Sequence, residues 1–314
     1  MRCIRKQIQF YVRVCVLILS LLAMSLAQAV HARVPESNFD AERAFGYLRQ
    51  QVAFGPRVPG SAAHEQTRAL ILRTLSECGF TTSVQEFEAY APAMKQVVRG
   101  FNLIGIYPPG SRARVILSAH YDTRCIAELD PNPARRELPI LGANDGASGV
   151  AVLLELARVI HQRKAVNTPI AFVFFDLEDQ GLGADSRGFC LGSRYLAANS
   201  PPALIDFEIG INLDMVGDAQ LTLPYEAFSF QAAPELVEAI WEIGVQVDSA
   251  VFVKRKGPAV YDDHVPFLEK KKKYINIIDF DYPQWHTSDD CVEKCSPRSL
   301  KTCGDTLLQF LYQQ

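Results

Sequence analysis

Apolar residues over 39–52 recur at the three-to-four-residue spacing of a helix that buries one face. Gly55, Pro56, Pro59 and Gly60 break that pattern, and Ser61 opens a second helix running to residue 75, with Glu65 in its first turn. The period then falls to two. Residues 83–87 alternate as a strand, and 100–106 read as another before the Pro108-Pro109-Gly110 turn. Residues 114–119 and 170–175 are compact apolar runs with no polar face, as expected of strands covered on both sides, and 208–213 and 274–280 read alike. Helices are predicted over 150–162, 235–245 and 299–311. Residues 123–142, rich in proline and charge, are predicted as a long surface loop. Strands alternating with helices imply an α/β fold: a three-layer sandwich with a mostly parallel, twisted central sheet and helices on both faces. No linker or repeat divides residues 33–314, so a single catalytic domain is expected.

Composition narrows the partners. The chain has 314 residues and a formal net charge of -3, so no extended basic face is implied and nucleic acid is not an expected partner. Residues 1–32 read as a signal peptide. Arg2, Arg5, Lys6 and Arg13 are followed by an apolar stretch over 14–22, then by the small residues Ala27-Gln28-Ala29 or Val30-His31-Ala32 of a cleavage site. The apolar stretch is shorter than the roughly 20 residues of a membrane span. The expected product is exported, periplasmic or secreted, without stable membrane association; an uncleaved anchor is the competing reading. Export would leave Cys78, Cys125, Cys190, Cys291, Cys295 and Cys303 in an oxidising compartment, where they could pair fully as disulfides; at Cys291 and Cys295 a disulfide or a free buried thiol is expected ahead of a structural metal site.

The chemistry concentrates where apolar runs end. His120 and Asp122 lie two apart on extended chain and so share a side. Asp145 sits in a glycine-rich turn before a helix, where capping of the helix is the competing role. Glu178 and Asp179 adjoin a buried strand, where two carboxylates repel and lose hydration unless a cation is near. Asp214 ends another strand, Asp262-Asp263-His264 precedes an apolar segment, and Trp285 flanks His286. Together these clusters suggest a zinc site. The Lys270-Lys271-Lys272-Lys273 run reads as a solvated turn.

Four segments, 54–61, 119–123, 142–150 and 213–217, resemble blocks of the zinc aminopeptidase and glutaminyl cyclase superfamily of secreted metalloenzymes, in the same order. For a cyclase the resemblance implies one zinc on Asp145, Asp179 and His286. For an aminopeptidase it implies two, with His120 and Asp214 on the second and Asp145 shared. The 262–268 segment and Trp285-His286-Thr287 are similar to the cyclase form. Asp179 departs from the animal cyclases, which carry Glu, and points to bacterial relatives.

The expected reaction is therefore zinc-dependent conversion of N-terminal Gln of peptides or proteins to pyroglutamate with release of ammonia. Glu178 would be the proton carrier, Asp214 and Asp262 would assist, and Trp285 and His264 would contact substrate. A two-zinc aminopeptidase is the alternative, and an inactive binding module on the same fold is a third reading, opposed by the intact Glu178. A monomer is expected.

Overall fold

The computed structural model describes residues 38–314 except 165, 167 and 184, so the expected signal segment lies outside the described residues. Six strands form the main sheet: β1 (Thr81–Ala91), β2 (Gln96–Tyr107), β3 (Val115–His120), β4 (Ile170–Phe175), β5 (Ile209–Asp214) and β8 (Lys273–Ile278). Their spatial order is β1-β2-β4-β3-β5-β8. The last four in that order run parallel, and β1 and β2 complete one edge as antiparallel strands. Two further short strands, β6 (Leu223–Tyr225) and β7 (Phe252–Lys256), pair separately in parallel.

Burial explains the unbroken apolar runs. In β4, Ile170, Phe172 and Phe174 face one core, while Ala171, Val173 and Phe175 face another. The larger core packs against α1 (Ala41–Phe54), α2 (Ala62–Glu77), α3 (Ala147–Arg163), α6 (Pro234–Val247) and α8 (Pro297–Tyr312). The smaller core lies under α4 (Leu191–Ala198) and α7 (Val265–Glu269). A short α5 (Ala227–Ala232) precedes α6. Helices on both faces of a mostly parallel sheet match the predicted sandwich. No helix among the described residues is long and apolar enough to cross a membrane.

Several local expectations meet the structure differently. Ser61 does cap α2, accepting the His64 N–H. The first two strands are longer than their alternation suggests, because they pair along their whole length from Thr81↔Ile106 to Ala91↔Gln96. The 123–142 loop is exposed over 131–139, yet Thr123, Arg124 and Ala127 at its base are fully buried. The expected disulfides are not formed: all six cysteines among the described residues are free. Cys291 and Cys295 flank a single 3₁₀ turn, with Cys291 half-buried and Cys295 turned into the core, and Cys303 is buried in α8. The lysine run is a surface turn, with the Lys272 ammonium donating to the Ile205 carbonyl at 2.7 Å.

Candidate active site

The parallel strands deliver their last residues to one edge, as open α/β sheets do. β3 ends at His120, β4 runs into Asp176–Asp179, β5 ends at Asp214, and the chain after β8 supplies His286. Asp145 arrives from the turn before α3. That turn needs Gly146, whose φ is 93°, and α3 lies so close to the sheet that a Cβ on Gly149 would stand 2.5 Å from the Leu213 carbonyl oxygen. Asp145 does not cap α3: Gly146 holds that position with no side-chain bond, and the Ser148 hydroxyl donates to the Asn144 carbonyl. Leu177, Met215 and His286 adopt left-handed backbone at the points where the chain turns into the site. Each costs on the order of 1 kcal/mol, and the surrounding bonds must hold it in place.

These turns surround a cavity of about 200 Å³ lined by Asp145, Glu178, Asp179, Asp214, Asp262 and His286, with Phe189, Tyr261, Phe280 and Trp285 as aromatic walls. Two groups of possible ligand atoms, each within 4.8 Å of one another, share Asp145: one is Asp145, Asp179 and His286, the other His120, Asp145 and Asp214. The first fits zinc. It offers one imidazole and two carboxylates, as catalytic zinc sites do while leaving a position open. Asp145 Oδ2 and Asp179 Oδ2 are buried without hydrogen-bond partners. Burial and the neighbouring Asp179 push Asp145 up to about 6, so the two carboxylates repel and a cation would relieve the strain.

Neighbouring residues orient these candidate ligands. His286 Nδ1 lies 2.9 Å from Glu128 Oε1, which turns Nε2 toward Asp179 Oδ1 at 3.2 Å. Arg124 bridges the same pair, donating to Asp179 Oδ1 at 3.1 Å and to Glu128 Oε2 at 2.7 Å. Burial opposes charge on His286, but Asp179 and Glu128 outweigh it and raise the ring to about 9. Asp290 accepts the backbone N–H groups of Asn144 and Asp145 at 2.8 and 3.1 Å, tying the His286 segment to the Asp145 turn. Arg57, fully buried, donates to the carbonyls of Tyr121, Leu141 and Gly142 beneath that turn. Asp122 accepts the Glu178 N–H at 3.1 Å. It also stands 3.6 Å from His120 Nδ1, an ion-pair distance beyond hydrogen-bond reach.

Glu178 and Asp262 form a third group with Cys190, again with ligand-type atoms within 4.8 Å. Burial, with Asp179, Asp263 and Asp262 nearby, holds Glu178 well above the usual carboxylate range despite His120. Asp262 is held by the Asn212 and Asn276 side chains and is raised to about 6 by burial and Asp214. Trp285 packs on His286, ring centres 3.9 Å apart, and on Phe280 at 5.0 Å. His264, expected to contact substrate, is instead fully buried, bonded to Glu226 at 3.1 Å and not among the residues that line the cavity. The sequence reading missed Arg124, Glu128, Arg57 and Asp290. An Arg-x-x-x-Glu pair just after the His120 segment was the available signal.

The family model described as Peptidase family M28 matches residues 102–311. The chain belongs to peptidase family M28. This M28 member is similar to the crystal structure of Porphyromonas gingivalis glutaminyl cyclase, with a TM-score of 0.84 and 36% identity over 88% of this chain and 99% of that one. It is similar to a Zn-dependent exopeptidase from Parabacteroides distasonis, with a TM-score of 0.83 and 34% identity over 88% and 99%. Among curated proteins, Glutaminyl-peptide cyclotransferase of Drosophila melanogaster is 26% identical over 260 residues, covering 75% of this chain and 70% of that protein.

Proposed function

We propose that this M28 member is a glutaminyl-peptide cyclotransferase that closes the N-terminal Gln of peptides or proteins to pyroglutamate. The observation that carries the reading is Glu178 and Asp262 side by side in an acidic cavity, next to a one-imidazole, two-carboxylate metal set. Support also comes from the glutaminyl cyclases the chain resembles. A cavity of about 200 Å³ walled by Trp285 suits one terminal residue rather than the middle of a chain.

Zinc on Asp145, Asp179 and His286 would supply Lewis acidity to the side-chain carbonyl of the substrate. The residues of the chain account for the rest. Asp214 and Asp262 offer acceptors to the α-amine and the amide nitrogen. Glu178 accepts a proton as the amine nitrogen bonds to the δ-carbon, then returns it as the bond to the amide nitrogen breaks and ammonia leaves. Because the attack is intramolecular, holding the two ends together does much of the work. One zinc suffices, and a monomer contains every group named. Export belongs to the same proposal: residues 1–32 carry the leader pattern, and the mature protein should begin after Ala29 or Ala32.

A second reading rests on His120, Asp145 and Asp214, which could hold another zinc and make the site a hydrolytic aminopeptidase. Mass spectrometry of a short Gln-initiated peptide with zinc-loaded protein separates the two. Loss of ammonia with every peptide bond intact, abolished by Glu178→Gln, is expected. Release of free amino acids would establish the aminopeptidase instead.

A further inference from the structure

Glu178 is gripped at both ends by one residue. Cys190, just before α4, is fully buried; its backbone N–H donates to the Glu178 carbonyl oxygen at 2.7 Å and its thiol donates to Glu178 Oε1 at 3.2 Å. Among the described residues no other side chain bonds the Glu178 carboxylate. The grip is built into the packing. Leu191 N–H reaches the Leu177 carbonyl at 3.0 Å, and a Cβ on Gly192 would stand 2.3 Å from the Asp176 carbonyl oxygen, so the start of α4 is pressed onto the 176–178 turn. Cys190 itself holds left-handed backbone, with φ of 55°, which a residue with a Cβ adopts only when its surroundings enforce it.

We infer that Cys190 is a positioning residue: its thiol fixes Oε1 of Glu178 and leaves Oε2 to meet the substrate amine. The inference rests on the proton-carrying role given to Glu178 above. A buried cysteine also serves as a small apolar filler, and the two roles separate cleanly. Burial and the adjacent Glu178 keep the thiol protonated, so it remains a donor. Serine retains a donor in slightly less volume, whereas alanine retains none.

The test uses the full zinc-loaded chain with Cys190→Ala and Cys190→Ser, a Gln-initiated dipeptide, and ammonia release as the readout. Zinc content and thermal unfolding are measured on the same samples. Cys190→Ala should lose roughly tenfold in kcat, the equivalent of one hydrogen bond to a charged group. KM and zinc content should stay unchanged, and Cys190→Ser should recover to within about threefold of wild type. An unchanged kcat in Cys190→Ala overturns the inference. So does a loss that comes with lost zinc or unfolding, or a serine variant as poor as alanine. If the wild type releases no ammonia, the cyclase reading fails separately. The same variants are then read on amino-acid release, where Glu178 is again the base.

Discussion

Removing Glu128 should loosen zinc without touching a ligand. The carboxylate accepts from His286 Nδ1 at 2.9 Å and pairs with Arg124 at 2.7 Å, so Glu128→Ala frees the ring to rotate. It also leaves Asp179 as the one carboxylate paired with Arg124 among the described residues, in competition with the metal. A hydrogen bond to a charged group contributes about 1.5–3 kcal/mol. The Glu128 side chain is 34% exposed, so water replaces part of that, and about half survives. The remainder is about 1.1 kcal/mol, or roughly a sixfold weaker zinc complex, just below the range that outer partners of metal-bound histidines contribute. Glu128→Gln, whose amide oxygen can still accept from the ring, should lose about threefold or less. Competition against a chromogenic chelator at fixed pH measures the dissociation constant. Asp206→Ala, which breaks only the exposed pair with Arg112, is the control and should not change it. Wild-type zinc affinity in Glu128→Ala would show that His286 is oriented by packing against Trp285, and the argument would fall.

Asp290→Ala removes a fully buried acceptor from the Asn144 and Asp145 amides and the Tyr282 hydroxyl. It should cost about 3 kcal/mol or more of stability and weaken zinc as well, read from urea unfolding with and without metal. Gly149→Ala forces a methyl against the Leu213 carbonyl and should lower stability by about 1–3 kcal/mol; an unchanged melting temperature would count against the close approach of α3. Burial would raise the Glu226 carboxyl, but the His264 ring, the Ser229 hydroxyl and the Val260 N–H outweigh it and lower it from 4.5 to about 2. Its folded pKa is depressed, so its stabilisation is complete above about pH 5 and disappears as pH falls toward 2, a contribution on the order of 3 kcal/mol. The stability gap between wild type and Glu226→Gln should close across that window, and a gap independent of pH refutes the assignment.

Local chemistry accounts for most of what was legible in the chain. The apolar run of β4 announced a strand buried on both faces because every residue in it meets a core, whichever way it points. Parallel strands end on one side, so the polar residues that follow such runs could be gathered into one site before any contact was known. That is why Asp145, Glu178, Asp179, Asp214, Asp262 and His286 were found together. What tertiary structure alone decided were pairings between residues far apart in sequence. Glu128 meets His286 across 158 positions, and Asp290 meets Asp145 across 145. Composition marked the 123–142 segment as a loop and could not reveal that its base is buried against Asp179 and His286. His264 stands two residues from Asp262, yet its partner is Glu226, because a buried imidazole goes to the acceptor the fold places beside it. The six cysteines are free, and residue type could not have told this, since a disulfide also needs Cα atoms within about 7 Å and facing Cβ vectors. Residue type and period therefore determined which groups enter the site, and the fold determined which of their neighbours hold them there.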